Sequence, residues 1–411
     1  MARAMKDSGV EWIGEIPEGW MVSKLQYFID CYDGRRVPVD AAERTPGPYP
    51  YWGAGSIMDY VNDYLFDEEL LLLGEDGAPF FDYTRPVAFY SNEKIWVNNH
   101  IHVLKPHADI CIKYLLHYLN NVDYKSYING SILNKLTQSN MNKIALLLPP
   151  VSEQQIIADY LDTECAKIDA VIEQTRASIE EYKKLKQSVI TQAVTKGIRP
   201  GRKMKDSGIE WVGEIPDEWE SINPKALFSQ RKEKATAVER QLTASQQYGV
   251  IYQDEYMELT GSKVVTVEKD FDILKHVEAG DFVISMRSFQ GGLEYSTKTG
   301  SISSAYVMLI PNLSMVFPRF YRWLLKSSVY INALQSTSNM VRDGQAMRYS
   351  NFAQVRLYSV PLDEQEEIAD YLDEKCTAID QLVKQKESFL TELETYKKSL
   401  IFEYVTGKKE V

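Results

Sequence analysis

Side chains that could bond the edges of nucleic-acid bases occur in polar loops of this sequence. In its second half they are Arg287, Ser288 and Gln290, followed by Arg342, Gln345 and Arg348. Arginine can donate two hydrogen bonds to guanine O6 and N7, and glutamine can bond adenine at N6 and N7. Each loop alone could equally be ordinary polar surface. Taken as a set, the loops predict a surface that recognises bases.

The first half carries a comparable set of polar groups between short apolar runs. Its members are Arg35, Arg36, Lys94, Asn98, Asn99, His100, Asn134 and Lys135. Basic residues outnumber acidic ones at 94–150 and at 282–361, although the formal net charge of the chain is -12. This distribution fits either a basic face on an acidic protein or a solvated, mixed surface.

Metal binding and catalysis lack the motifs that they would require. His100 and His102 would face one side of a strand and could chelate a metal with a third ligand, but structural roles are commoner for such a pair. The sequence has no GxxxxGK[ST], HExxH or GxSxG motif, no glycine-rich cofactor loop, and no CxxC among its four cysteines. We therefore expect no catalytic residue, no metal and no cofactor on this chain.

Two phrases of the sequence occur twice. MKDSGVEWIGEIPEGW at Met5–Trp20 returns as MKDSGIEWVGEIPDEW at Met204–Trp219, and PPVSEQQIIADYLD from Pro149 returns as VPLDEQEEIADYLD from Val360. The inserts between the phrases, 21–148 and 220–359, share almost no residues. A duplicated frame that carries two divergent inserts predicts recognition of two different targets at a fixed separation.

Two long segments without glycine or proline, 151–196 and 362–406, follow the second phrase of each repeat. Their apolar residues repeat every 3.5 positions, which is typical of a helix packed along a seam. The predicted seam residues are Leu161, Ile168, Ile172, Ile179, Tyr182 and Val189 in the first segment, and Leu372, Ile379, Val383, Leu390, Leu393 and Leu400 in the second. Thr175 and Lys186 are polar seam positions that recur as Lys386 and Lys397. We expect the two helices to pack antiparallel about a pseudo-twofold axis, each roughly 65–70 Å long.

The inserts contain short apolar or aromatic runs between turn residues, which indicates mostly β domains with small helices. The predicted fold class is therefore α+β. The expected order is a head and first recognition domain at 1–150, a spacer helix at 151–197, a hinge, repeated head and second domain at 198–361, and a second spacer helix at 362–411. No apolar run is long enough to span a bilayer and no leader precedes the first head, so we expect a cytoplasmic protein without a membrane partner.

The paired EQ–IADYLD and SG–EW–GEIP phrases, each followed by a long helix, resemble the DNA specificity subunit of type I restriction–modification systems. The resemblance covers the whole chain and implies that each recognition domain reads one half of a bipartite, asymmetric site in double-stranded DNA. It implies that the spacer helices set the gap and dock two methyltransferase subunits, which carry S-adenosylmethionine, and that restriction (translocase) subunits join them. The subunit itself is then non-catalytic. Recognition domains diverge within this family, so no base contact transfers.

Two other classes of protein remain as alternatives. A coiled-coil scaffold could use its two β domains to bind proteins or glycans, and it would bind no DNA in a salt-dependent way. A fused nuclease or methyltransferase would require a catalytic motif. Neither alternative explains why only the frame is duplicated so faithfully.

Overall fold

The computed structural model of the chain describes residues 3–82, 84–128, 134–264, 266–267, 273–284, 293–337 and 348–411. The chain forms two compact units. The first unit combines Met1–Ala177 with Lys386–Val411, and the second is Ser178–Gln385. Each unit therefore contains a head, an insert, the beginning of the long helix that follows its own insert, and the end of the other long helix.

The first unit contains twelve described strands, two short helices and the start of a long helix. These are β1 (Met5–Asp7), β2 (Glu15–Pro17), β3 (Met21–Lys24), β4 (Ile29–Cys31), β5 (Pro46–Trp52), β6 (Ile57–Val61), β7 (Phe66–Asp67), β8 (Leu70–Gly74), β9 (Ala88–Ser91), β10 (Lys94–Val97), β11 (Ile101–Pro106), α1 (Ile112–Leu119), α2 (Gln138–Met141), β12 (Ala145–Leu148) and α3 (Val151–Lys196). Two four-stranded sheets, in the orders β6-β5-β10-β7 and β4-β11-β8-β9, form the insert.

The second unit begins within α3 and continues through a repeated head and a second insert. Its further elements are β13 (Met204–Asp206), β14 (Glu214–Pro216), β15 (Glu220–Ile222), α4 (Pro224–Leu227), β16 (Phe228–Gln230), β17 (Leu242–Ser245), β18 (Gly249–Tyr252), α5 (Gln253–Thr260), β19 (Lys275–Val277), β20 (Phe282–Ile284), β21 (Leu293–Tyr295), β22 (Gly300–Ile302), β23 (Val307–Pro311), α6 (Pro318–Leu325), α7 (Ser328–Ser336), α8 (Tyr349–Phe352), β24 (Leu357–Ser359) and α9 (Leu362–Val405). Its main sheet has the order β16-β23-β20-β21.

Each insert contains a four-stranded sheet of the same order and register, despite the divergent sequences. In the first unit, His102 of β11 pairs with Leu73 of β8, and Leu104 pairs with Cys31 of β4. In the second unit, Val307 of β23 pairs with Ile284 of β20, and Leu309 pairs with Gln230 of β16. Strand order and register therefore make Val307 the counterpart of His102, and Gln230 the counterpart of Cys31.

Each head is fixed to a long helix by a buried tryptophan. The Trp20 indole N–H donates to Glu153 of α3 at 3.1 Å, and the Arg3 guanidinium bonds the same carboxylate. In the second unit, Trp219 donates to Glu364 of α9 at 3.0 Å, and Arg202 bonds that carboxylate. Glu153 and Glu364 occupy equivalent positions of the repeated phrase. Both heads thus use one arrangement of tryptophan, arginine and glutamate.

The long helices pack antiparallel in the first unit. Tyr160 and Tyr404 bring their hydroxyl groups to 3.3 Å, and Lys397 Nζ donates to both carboxylate oxygens of Asp169 at 2.6 and 2.7 Å. The residue number rises along α3 while that of its partner falls along α9, which is the antiparallel order. Apolar side chains of both helices, among them Ile168 and Leu400, lie in one core cluster.

The second unit contains the counterpart of this packing. Lys186 Nζ donates to both carboxylate oxygens of Asp380 at 2.7 and 2.6 Å, and Arg199 bonds Glu367 further along. Lys186 and Lys397 are equivalent in the repeat, as are Asp380 and Asp169. Lys186 and Lys397, two of the three seam lysines predicted from sequence, are each held by the corresponding aspartate of the opposite helix.

The predicted α+β class and the two long helices that pack together are confirmed. α3 and α9 begin at Val151 and Leu362, each directly after a proline. Ser327 separates α6 from α7, because its hydroxyl accepts from the Tyr330 amide and begins a new helix. No helix in the described ranges is sufficiently long and apolar to cross a membrane.

Candidate nucleic-acid interface

Four loops of the first unit converge at one edge of its sheets. They follow β5, β8 and β10 and precede α2. The Asn98 amide donates to Trp52 O at 3.1 Å, the Glu75 amide donates to His100 O at 3.0 Å, and the Gly77 amide donates to Asn134 O at 2.9 Å. These backbone bonds tie the loops together, so they present a single surface instead of separate flexible segments.

Five of the residues predicted from sequence lie at this surface. Asn98 is buried, and its side-chain oxygen accepts from the His100 amide at 2.8 Å, so it shapes the loop. Asn99 and His100 are exposed. Asn134 is half-buried, and Lys135 Nζ pairs with Asp76 at 3.0 Å and with Glu75 at 3.3 Å. Asn99 and His100 are therefore the groups most available to a ligand, whereas Lys135 is already neutralised.

A buried ion network supports the loops from below. His102 Nδ1 lies 2.6 Å from Asp33, and His102 Nε2 lies 2.8 Å from Leu136 O. Arg36 donates to Glu75 at 2.7 Å and to Ile101 O at 2.9 Å. Burial favours the neutral acid at Asp33, but bonds from His102 and the Val103 amide, with the Arg36 charge, outweigh it and hold its pKa below the ordinary 3.8. Arg36, predicted as a DNA-binding residue, lies inside this network.

Three side chains of the same network are of types that can bind a metal ion. One ligand atom from each of Asp33, Glu75 and His102 lies within 4.8 Å of the others. However, the Arg36 guanidinium bonds both carboxylates, at 3.3 and 2.7 Å, and supplies the positive charge that a cation would bring. His100 does not join the triad, since its Nδ1 lies 3.4 Å from Asp76. The two carboxylates are thus already paired with Arg36 and His102. That the chain binds no metal stays a prediction.

The remaining two predicted residues of the first unit form a separate group beside β7. Arg35 bonds Glu68 at 3.1 Å, and its guanidinium lies over the Phe66 ring at 4.4 Å. Lys94 Nζ lies over the Tyr64 ring at 4.4 Å. Both cations are partly exposed and pre-positioned on aromatic faces, where cation–π attraction restricts their motion.

In the second unit, Arg287, Ser288, Gln290, Arg342 and Gln345 lie outside the described residues. Arg348 is described, is exposed and precedes α8. The chain positions are informative: 285–292 directly follows β20, as 75–87 follows β8, and 338–347 precedes α8 as 129–136 precedes α2. Only the second comparison joins predicted residues of both inserts, since Asn134 and Lys135 precede α2 as Arg342 and Gln345 precede α8.

The predicted seam residues lie along the inner sides of the long helices in varying degrees of burial. Seven of them are buried, namely Leu161, Ile168, Ile172, Ile179, Leu372, Ile379 and Leu400, and five are half-buried, namely Tyr182, Val189, Val383, Leu390 and Leu393.

The long helices also carry two cysteines, Cys165 and Cys376, which are free thiols. Burial raises the pKa of Cys165 to about 11. A neutral thiol behaves there as a small apolar side chain.

Sequence reasoning missed several residues of the interface. Asp33, Glu75 and His102 hold the loops. The sequence marks His102 only as a possible metal ligand, and only the DGRR turn and the GED turn after an apolar run hint at the two acids. Ser56 and Met58, exposed beside the Gly53–Gly55 turn, also belong to this edge. Nothing in their sequence context distinguishes them from ordinary turn residues.

Comparisons with known proteins agree with this architecture. Residues 17–181 match the family model of the type I restriction modification DNA specificity domain. A protein of Haemophilus influenzae named as a type I restriction enzyme specificity subunit is 31% identical over 163 residues, 39% of each chain. The MjaVIII specificity subunit of Methanocaldococcus jannaschii is 25% identical over 52% of this chain and 50% of its own length. The chain thus aligns with half or less of these two relatives.

Longer alignments come from one further relative and from solved structures. The MjaX specificity subunit of Methanocaldococcus jannaschii is 23% identical across 97% of this chain and 96% of its own. A chain from a solved type I R-M system has a TM-score of 0.67 at 13% identity, covering 96% of this chain and 99% of that one. The HsdS subunit from Thermoanaerobacter tengcongensis has a TM-score of 0.50 at 13% identity, covering 98% and 100%. The likeness to these structures concerns the fold.

Specificity subunits are the non-catalytic components of such systems, which agrees with the motifs that the sequence lacks. Residues 17–181 thus resemble the type I restriction modification DNA specificity domain, and a relative named as a specificity subunit aligns with nearly the whole chain at 23% identity.

Proposed function

We propose that this chain recognises a bipartite, asymmetric sequence in double-stranded DNA, with one half-site read by each insert. The observation that carries the proposal is the recurrence of one sheet, in the same strand order and register, beneath two loop sets of unrelated sequence. A common scaffold with different loops suits two different half-sites. Loops on a rigid scaffold are also where binding residues concentrate.

The spacer helices set the gap between the half-sites in this proposal. Both helices contribute residues to both units, since α3 spans Val151–Lys196 and α9 spans Leu362–Val405. The equivalent pairs Lys397–Asp169 and Lys186–Asp380 support a fixed register, because a slip of one helix would leave each ammonium without its carboxylate. Polar groups at seam positions specify register in this way.

The helices also offer equivalent apolar positions for a partner. In the first unit, Val171 and Tyr396 are 41% and 57% exposed, and in the second, Leu382 and Leu185 are 41% and 48% exposed. Val171 and Leu382 are equivalent in the repeat, as are Leu185 and Tyr396. Repeated exposed apolar residues support the docking of two copies of one partner.

The partner that we propose is the methyltransferase subunit of the same system, with S-adenosylmethionine on that subunit and none on this chain. Restriction subunits join the complex, and the assembly acts in the cytoplasm. A chain of similar fold comes from a study of complex assembly in a type I R-M system, which supports this choice.

The test is selection of bound duplexes from a random library by the full chain, purified with its neighbouring methyltransferase. We expect the selected sequences to contain two unlike short blocks at one constant spacing. A complex that selects no sequence, or that binds DNA without salt dependence, favours a protein-binding scaffold instead. Replacing only the insert 21–148 should change one block and leave the other block and the spacing as they were.

A further inference from the structure

A cavity of about 640 Å³ opens in the second unit, beside the start of β23 and the start of α8. Three cationic side chains line it: Lys225, Lys275 and Arg348. Gln230 and Ser304 add neutral polar groups, and no carboxylate belongs to the lining among the described residues. A cavity with this lining attracts an anion and offers hydrogen-bond donors to it.

The positive charges of this cavity are not compensated by the described part of the second unit. Lys275 is half-buried, and its Nζ donates to Tyr306 O at 2.7 Å, a carbonyl and not a carboxylate. Burial lowers the pKa of Lys275 below its ordinary value, with no described carboxylate opposing that effect. Lys225 and Arg348 are exposed and form no ion pair with a described carboxylate. A partly buried charge without a carboxylate partner is costly, so an anion bound beside Lys275 would lower the free energy of the site.

The equivalent place in the first unit is filled differently. Gln230 and Val307 of the cavity correspond to Cys31 and His102. His102 Nδ1 lies 2.6 Å from Asp33 and 3.8 Å from Glu75. The charges of these two carboxylates offset that of Arg36, which lies 2.7 Å from Glu75. Thus one face of a shared sheet carries a closed ion network in the first unit and an open cationic cavity in the second.

The position of the cavity suits a nucleic-acid backbone. Ile284 ends β20 directly before the loop with Arg287, and Arg348 directly follows the loop with Gln345. A phosphate held in the cavity would lie beside Arg348 and the start of α8. Lysine, arginine, serine and glutamine are the side chains with which proteins commonly bond phosphate oxygens.

We propose that this cavity binds one or two phosphodiesters of the DNA backbone, and that the second recognition domain supplies the main salt-sensitive anchor of the complex. This inference rests on the proposed function. Counterion release makes the logarithm of the DNA association constant fall with the logarithm of salt concentration, with a slope of about -0.9 for each phosphate that is neutralised. The residues of the cavity should therefore contribute to this slope, whereas the neutralised cations of the first unit should not.

The experiment measures the association constant of the full chain with its methyltransferase for a duplex that carries the selected site, between about 50 and 200 mM salt. We expect Lys225→Gln and Arg348→Gln each to reduce the slope by about 0.9, and the double variant by nearly twice that. Both variants should weaken binding equally on matched and mismatched duplexes. Lys275→Met, which preserves the length of the stem, should act in the same direction.

Two matched controls replace lysines whose charges are already paired and that lie outside the predicted DNA-binding residues. Lys298→Gln removes an ammonium that lies 2.7 Å from Glu255 in the second unit, and Lys113→Gln removes one that lies 2.6 Å from Asp162 in the first. We expect both controls to keep the wild-type slope. A slope that falls as much for either control as for Arg348→Gln would show a general effect of lost positive charge and would contradict the anchor.

The outcomes separate this inference from the proposed function. If wild type binds the selected duplex with a normal slope and the double variant keeps that slope, the anchor is overturned and DNA recognition stands. If the variants lose binding of inorganic phosphate but keep the slope on DNA, the cavity is a free-anion site and the anchor is again overturned. Wild type that selects and binds no duplex overturns the proposed function itself.

Discussion

Replacing Glu364 by alanine should destabilise the second unit far more than the equivalent change Glu153→Ala destabilises the first. The two glutamates bond the same partners, a tryptophan N–H and an arginine guanidinium. Their environments differ, because the Glu364 side chain is 1% exposed with Arg202 at 10%, whereas Glu153 is 26% exposed with Arg3 at 27%. Solvent can replace the lost bonds at Glu153 but not at Glu364.

The magnitude follows from this difference in burial. Removing one partner of a buried ion pair typically costs about 3–5 kcal/mol when the remaining charge is left uncompensated. Glu218 also bonds Arg202, at 3.1 Å, so we expect the loss at Glu364 to fall at the lower end of this range. A partly exposed pair with one additional hydrogen bond contributes about 1 kcal/mol. We therefore expect Glu364→Ala to reduce the free energy of unfolding of the second unit by about 3 kcal/mol, and Glu153→Ala to reduce that of the first by about 1 kcal/mol.

The assay is hydrogen exchange of the full chain, followed by mass spectrometry of peptides from each unit. Exchange protection locates the loss, because each unit can open by its own free energy. Glu364→Gln keeps an acceptor for Trp219 and should lie between wild type and Glu364→Ala. Equal losses for Glu153→Ala and Glu364→Ala, or a loss below about 1 kcal/mol at Glu364, would refute the reasoning from burial.

Three further predictions concern pH, the end of the chain and the spacer helices. Burial opposes the charge on His276, but its bonds to Glu239 and Glu278 outweigh burial and raise its pKa above the ordinary 6.5. The resulting stability is present below pH 6.5 and is lost as pH rises through the raised pKa. His276→Gln should therefore flatten the loss of stability that urea unfolding measures as pH rises above 6.5. Deleting 406–411 removes the bonds from Lys408 Nζ to Ile13 O and Glu15 O, at 2.9 and 3.1 Å. Amide hydrogen exchange at 5–20 should then increase at least tenfold, which corresponds to a loss of about 1.4 kcal/mol of local stability. Lys409→Ala, the control, should leave this exchange unchanged. Adding one helical turn to both spacers should lengthen the gap and leave the half-sites unchanged, as read from selected duplexes, and an unchanged gap would contradict the role of the helices as spacers.

The long helices could be predicted from sequence because their signal is local. Every third or fourth residue is apolar without a break by glycine or proline, and the same pattern returns after the second phrase. The aspartates that hold Lys186 and Lys397 could not be identified, since Asp380 and Asp169 resemble any other acid on a charged helix. Their pairing depends on the partner helix and not on the neighbouring sequence.

The sheets were less predictable because their order is set by contacts distant in sequence. The sequence indicates that Leu70–Leu73 and Ile101–Leu104 are strands, but nothing local shows that β11 lies between β4 and β8. The same limit applies to the candidate site. Arg36 has the residue type of a base reader, yet Glu75 and Asp33 hold it in the interior.

The sequence also does not show which charged side chains lack a partner of opposite charge. Lys225 and Lys275 lie 50 residues apart in number, among other lysines, and only the fold brings them to one cavity with Arg348. The predicted DNA-binding residues remain predictions at Asn99, His100 and Arg348, where the side chains are exposed. The structure favours these positions over Arg36 and Lys135, whose charges are already paired.

The most direct measurement is a genome-wide map of N6-methyladenine in a host that expresses this chain with its neighbouring methyltransferase. The account predicts one methylated motif, made of two unlike short halves at a constant separation, and its loss when this chain is omitted. A methylated motif without two parts, or the same motif without this chain, would contradict the claim that the two inserts read the DNA.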